Sequence, residues 1–265
     1  MSMEKYIETN RGRVYYWIDY VPRDKCIFFA HGITFDHNLF NGQIKEFSRD
    51  YTVIAWDMPL HGKSITYEDF SLVHGAEDIK AILEREGISH TVLAGQSAGG
   101  YICQMFIDKY PAMVDAFIAI DSSPLAPEYY SAMDLFWVKH YSDIAKLCPF
   151  TVYSKTAAWV ANCNERAREA FYKVLTCLGK EGMITATEEV FTDLCESMKK
   201  VRFHCPVLII LGSEDMVGFI SSASKEWNEK TGFPLVEIEG AGHNANQDEP
   251  EEFNQVVKRF LSAIL

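Results

Sequence analysis

Ser97 lies in the run Gly95-Gln96-Ser97-Ala98-Gly99, with Gly100 behind it. An apolar stretch, residues 91–94 (TVLA), precedes the run, and an amphipathic stretch opens at Ala98. A serine on a sharp strand-to-helix turn needs small neighbours, because the backbone there is strained and crowded. Such a turn lifts the hydroxyl out of a sheet. It also aims the Ala98 N–H, at a helix N-terminus, at the place where an oxyanion would form. A serine hydroxyl is a weak nucleophile until a base takes its proton. The candidate base is His243 in Glu239-Gly240-Ala241-Gly242-His243, a glycine-flanked loop past the last apolar run. Asp215 closes Gly212-Ser213-Glu214-Asp215, directly after residues 207–211 (VLIIL), and could orient the imidazole. Together these three residues can perform acyl transfer. The plainer alternatives are an N-capping serine in a glycine-rich turn and a surface histidine.

The elements that must position them follow from the apolar pattern. Residues 6–9 and 14–20 around Gly12 read as a hairpin. Short continuous apolar runs follow at 26–30, 52–56, 91–94, 116–120, 207–211 and 235–238, as expected of strands buried on both faces of a parallel sheet. Between them, residues 75–86, 98–110 and 249–265 carry apolar residues at helical spacing, the last with Pro250 in its first turn. Alternation of this kind predicts an α/β fold: a mostly parallel sheet with helices on both faces. One interval breaks it. Residues 125–203 offer no strand and are helical in pattern and rich in aromatics. The predicted division is therefore a core of residues 1–124 and 204–265 and a helical cap of residues 125–203. The cap should emerge above Ser97, at the strand ends where open α/β sheets form their ligand crevice. Trp137 and Trp159 are its candidate substrate-binding residues.

Composition excludes several other functions. The chain has 265 residues, 48% of them hydrophobic, which suits one large domain or a core with an insertion. Its formal net charge of −12 argues against nucleic acid and membrane surfaces as partners and leaves a small-molecule substrate. The N-terminal segment MSMEKYIETNRGR has no apolar h-region, no run is long enough to span a bilayer, and the seven cysteines show no C-x-x-C spacing. A cytoplasmic protein with reduced thiols is the expectation. Gly62-Lys63-Ser64 resembles the end of a phosphate loop, but that motif requires glycine where Asp57 stands. Gly240-x-Gly242 is followed by no helix opening of the dinucleotide type. The remaining histidines show no metal-ligand spacing, and His31 and His61 read as structural hydrogen-bonders. Neither metal nor organic cofactor is expected.

Taken together, the chain resembles the α/β-hydrolase superfamily over nearly its whole length. His31-Gly32 is similar to that family's oxyanion loop, which implies that the Ile33 N–H joins the Ala98 N–H in an oxyanion hole. Residues 57–64 (DMPLHGKS) resemble its D-x-P-G-H-G-x-S loop, with Leu60 at a glycine position. Gly242-His243 with Asp248, Glu249 and Pro250 resembles its histidine loop and last helix. The order Ser97, Asp215, His243 is the family's order. Some members carry the acid after an earlier strand, which here would be Asp121. The resemblance implies a serine esterase acting on a small apolar or aromatic ester. A lactone, thioester or C–C bond hydrolase would use the same triad, and a ligand receptor with little turnover would use the same fold.

Overall fold

The computed structural model describes residues 2–21 and 25–265. Among these residues eight strands form one sheet in the order β1-β2-β4-β3-β5-β6-β7-β8. The strands are β1 (Met3–Thr9), β2 (Gly12–Asp19), β3 (Cys26–Ala30), β4 (Thr52–Trp56), β5 (Thr91–Gln96), β6 (Val114–Ile120), β7 (Val207–Gly212) and β8 (Leu235–Ile238). β1 and β2 form the expected hairpin and lie antiparallel on the edge; β3 to β8 are parallel. Three of the apolar runs, 26–30, 52–56 and 235–238, coincide with strands to the residue. β5 runs two residues further than its apolar run, since Gly95 and Gln96 pair with Ala119 and Ile120 of β6.

Helices cover both faces: α1 (Asn41–Phe47), α2 (Leu72–Arg85), α3 (Ala98–Lys109), α4 (Ala132–Leu147), α5 (Phe150–Ala161), α6 (Glu165–Ser197), α7 (Ile220–Thr231), α8 (Ala245–Asp248) and α9 (Pro250–Ile264). Side chains of a strand alternate between faces. Phe28, Ile54, Trp56 and Leu93 therefore pack with α2, α3 and α7, while Ile27, Phe29, Val53, Ala55 and Val92 pack with α1 and α9. α2 begins three residues earlier than its apolar spacing indicates, because the Ser71 side chain caps it by accepting from the His74 N–H.

Between β6 and β7 the chain forms α4, α5 and α6 and no strand. α6 is broken at Gly179 (φ 75°, ψ 173°), a backbone state only glycine enters freely. No helix among the described residues is long and apolar enough to cross a membrane.

Candidate active site

The loops leaving the C-terminal ends of β3, β4, β5, β6, β7 and β8 carry Ile33, Asp57, Ser97, Asp121, Asp215 and His243 respectively. Parallel strands thus deliver residues far apart in sequence to one edge of the sheet.

Ser97 joins β5 to α3 with φ 49° and ψ −121°, a left-handed conformation rare outside glycine. Its backbone N–H is held by the Ile120 carbonyl at 3.0 Å, and its carbonyl accepts from Ser122 Oγ at 2.8 Å. The hydroxyl makes no capping bond to α3, so the role of an N-capping serine is not the one the fold gives it. The turn depends on close backbone approach. A Cβ on Gly99 would lie 2.2 Å from the Ala30 carbonyl oxygen.

The structure separates the two candidate acids. His243 Nδ1 donates to Asp215 Oδ2 at 2.9 Å, and the Asp215 side chain is wholly buried there. The other oxygen of Asp215 accepts from the Val217 N–H at 2.8 Å, which fixes the carboxylate plane. Asp121 is also buried, but its oxygens accept from the N–H groups of Gly212 (2.7 Å) and Ala245 (3.0 Å). It fastens the loop after β7 to the histidine loop and does not bond the imidazole. Burial, and then the nearby Asp215, raises its carboxyl well above the usual range. For His243, burial works against the imidazolium, but the charge and hydrogen bond of Asp215 outweigh it and leave the histidine above its ordinary value.

Ile33 stands beside Ser97 because residue 32 is glycine. A Cβ there would meet Ser97 Cβ at 2.8 Å. Two neutral histidines brace this loop. His31 accepts the Met58 N–H at Nε2 (2.8 Å) and His61 accepts the Thr34 N–H at Nε2 (2.9 Å). Burial lowers their pKa values to about 3 and about 4, so both remain acceptors. Their expected structural role matches these bonds. The Ala98 N–H belongs to the first turn of α3, where backbone donors have no helical partner.

Asp36, His37 and Asp57 offer ligand atoms within 4.8 Å of one another. Protein donors already engage all three residues. Asp57 accepts from the His37 N–H (3.0 Å), His37 Nδ1 (2.7 Å) and the Lys63 N–H (2.7 Å), and Asp36 accepts from Asn38. These bonds hold the loops together.

Two cavities meet at Ser97. One of about 260 Å³ also borders Ile33, Gln96, Tyr141, Tyr153, Phe171, Phe191 and His243. The other, about 230 Å³, borders Ala98, Tyr101, Trp137, Val138, Leu194 and Phe219. Trp137 therefore lies where the aromatic content of residues 125–203 led us to expect a pocket residue. Trp159 lines neither of these two cavities. α5 turns Tyr153, Ala157, Val160 and Ala161 toward the first cavity, and residue 159 falls on its outer side. Trp159 is 56% exposed and sits near the Arg168 guanidinium.

Two residues not singled out in the sequence complete the site. Gln96 Nε2 donates to the His243 carbonyl at 2.9 Å, tying the serine turn to the histidine loop. Asp248 accepts from the N–H groups of Gly242 (2.8 Å), Cys163 (2.9 Å) and Asn164 (2.9 Å), joining that loop to the segment between α5 and α6. The position of Gln96 next to Ser97 was the available signal. Asp248 was visible only as part of a motif.

A family model described as the alpha/beta hydrolase family matches residues 27–256. A bifunctional esterase/perhydrolase of Acinetobacter calcoaceticus is 25% identical over 285 residues, covering 97% of this chain and 99% of the relative. An epoxide hydrolase of Caenorhabditis elegans is 24% identical, over 97% of this chain and 70% of its own length. Among solved structures, an esterase from Exiguobacterium antarcticum superposes with a TM-score of 0.79 at 17% identity, covering 98% of this chain and all of the other.

Proposed function

The chain belongs to the alpha/beta hydrolase family, and from that premise we propose that it is a serine hydrolase cleaving small, uncharged carboxylic esters through an acyl-enzyme on Ser97. The observation that carries the proposal is the His243–Asp215 bond beside a serine on a strained turn, with Ser97 and His243 bordering one cavity. His243 Nε2 takes the Ser97 proton as Oγ attacks the ester carbonyl. Asp215 keeps the other imidazole proton on Nδ1 and balances the imidazolium that forms. The N–H groups of Ile33 and Ala98 hold the tetrahedral oxyanion. His243 then protonates the departing alcohol, and water, activated by the same histidine, releases the acid. Residues 125–203 act as the cap that shapes both cavities and selects the ester. Esterase names occur among the relatives, and the cavity walls are mostly apolar, which suits this substrate class.

The test is a fluorophosphonate adduct mapped by mass spectrometry, with steady-state turnover of p-nitrophenyl acetate. The adduct is expected on Ser97, and Ser97→Ala should lose several orders of magnitude in kcat. Labelling elsewhere would refute the assignment. A single stoichiometric burst in place of turnover would identify a ligand receptor instead.

A further inference from the structure

In the cavity that Ser97 shares with His243, most polar side chains are already committed. Gln96 bonds the His243 carbonyl, Asn244 bonds Asn162 and Thr187 bonds the Met183 carbonyl. The exception is a pair of phenols. Tyr141 on α4 and Tyr153 on α5 both border this cavity, Tyr141 also bordering the one beside Trp137 and Tyr153 this one alone of the two, and their hydroxyls lie 2.8 Å apart. Within the pair one hydroxyl donates to the other, and the acceptor keeps a hydrogen that no group among the described residues takes up. A hydroxyl that accepts one hydrogen bond is polarised to donate a second. Burial raises both phenols, and for Tyr153 the neighbouring Tyr141 adds to it, so the donor stays protonated.

His243 fixes which part of an ester lies here. It must return its proton to the departing oxygen, so the leaving group occupies the histidine's side of Ser97. His243 borders this cavity and not the one beside Trp137, which is left for the acyl chain. Among the described residues no lysine or arginine lines either cavity, so neither gains a counter-ion for an anionic group from them.

We propose that the Tyr141–Tyr153 pair reads the alcohol part of the substrate, donating one hydrogen bond to an uncharged ether, carbonyl or hydroxyl oxygen in it. This inference rests on the serine hydrolase reading above and adds a substrate class to it: esters whose leaving group carries a second oxygen.

The test walks an ether oxygen along a leaving group of constant length. Hexyl acetate is compared with 2-propoxyethyl, 3-ethoxypropyl and 4-methoxybutyl acetates, in the wild type and in the Tyr141→Phe, Tyr153→Phe and double-phenylalanine variants. In the wild type, one ether isomer should exceed hexyl acetate in kcat/KM by about three- to ten-fold, the worth of one neutral hydrogen bond. In the double variant that ratio should fall to about one. Being a ratio, it is insensitive to partial loss of folded protein. A wild type with no preference among the four esters, or a ratio unchanged in the double variant, would overturn the proposal. A preference that appears only for ether oxygens in the acyl chain would overturn it too. A wild type that neither turns over nor takes fluorophosphonate fails the hydrolase reading instead. Titration of the four free alcohols, followed by tryptophan fluorescence, then judges the pair alone: tighter binding of one ether alcohol than of hexanol, lost in the double variant, supports it, and equal binding overturns it.

Discussion

Gly32→Ala adds a single methyl group to the loop that carries Ile33. Its carbon would lie 2.3 Å from Gln96 Oε1, 2.8 Å from Ser97 Cβ and 3.2 Å from the Gln96 carbonyl oxygen. Gln96 is not free to swing aside, since its Nε2 holds the His243 carbonyl at 2.9 Å. Restoring ordinary carbon–carbon contact with Ser97 Cβ requires the loop and the serine turn to separate by about 0.6 Å or more. Oxyanion donors work only at about 2.7–3.1 Å from the developing charge, and an error of about 1 Å costs on the order of 100-fold. The expected outcome is a fall in kcat of about 10- to 100-fold, with a similar slowing of fluorophosphonate labelling, since both reactions use the same hole. Overpacking should cost about 1–3 kcal/mol, or about 2–12 °C in melting temperature for a chain of this size. Kinetics on p-nitrophenyl acetate and a thermal melt measure the two effects separately. A variant that melts lower but keeps wild-type kcat would show that the Ile33 loop does not serve the oxyanion.

As the proposed base, His243 must react as the neutral ring; burial disfavours its charge, but Asp215 outweighs burial and raises its pKa above the ordinary 6.5. Activity should therefore rise with pH through an apparent value above 6.5 and then level, and a flat kcat/KM profile would refute a histidine base. The stability contribution runs oppositely: it is full below the unfolded histidine value and is lost as pH rises through the higher folded one. Asp215→Asn should lower kcat by about 10⁴-fold with little change in melting temperature, because the amide offers the imidazole the wrong partner. Asp121→Asn should instead cost about 1–3 kcal/mol of stability, since an NH₂ would face the Gly212 or Ala245 N–H; if it proves the worse for kcat, the acid is misassigned. Trp137→Ala should reorder kcat/KM across acyl chain lengths while Trp159→Ala leaves the order as it was, and equal effects of the two would remove Trp137 from the acyl cavity.

The core was legible because its strands are buried on both faces. Runs such as CIFFA and TVIAW cannot be helical surface or loop, and each coincides with a strand. The meeting of Ser97, Asp215 and His243 at one edge of the sheet was legible because turn glycines and strand ends mark where a parallel sheet places its loop residues. Choosing between Asp121 and Asp215 required coordinates, since both end a strand and only the direction of the carboxylate distinguishes them. That Trp159 faces away from the first cavity was hidden for a different reason. Aromatic content places a side chain on a helix but not on a given side of it, and α5 is apolar enough all round that its periodicity does not reveal the cavity face. The Tyr141–Tyr153 contact joins two helices at an angle that no local pattern encodes.

The loops around the site share one physical device. Five non-glycine residues among those described have positive φ, and four lie on the loops at this edge of the sheet: Thr34, Leu60, Ser97 and Asp121. Each such conformation costs about 1–3 kcal/mol and persists only where its surroundings over-determine it. Here the strained residue's own N–H supplies the restraint in every case. Thr34 donates to His61, Leu60 to the Ser64 carbonyl, Ser97 to the Ile120 carbonyl and Asp121 to the Ile210 carbonyl. Leu60 shows how the balance closes. It holds φ 72° at the position that is glycine in the D-x-P-G-H-G-x-S pattern its loop resembles, yet its side chain is only 5% exposed and packs in the core beneath the sheet edge. Burying a leucine contributes about 1.5–3 kcal/mol, against about 1–2 kcal/mol for the left-handed backbone, so the substitution is tolerated without loosening the loop. The restraint on Thr34 is conditional, because His61 accepts only while neutral. Burial secures that by lowering its pKa to about 4, so the Ile33 loop stays braced throughout the pH range in which His243 loses its proton.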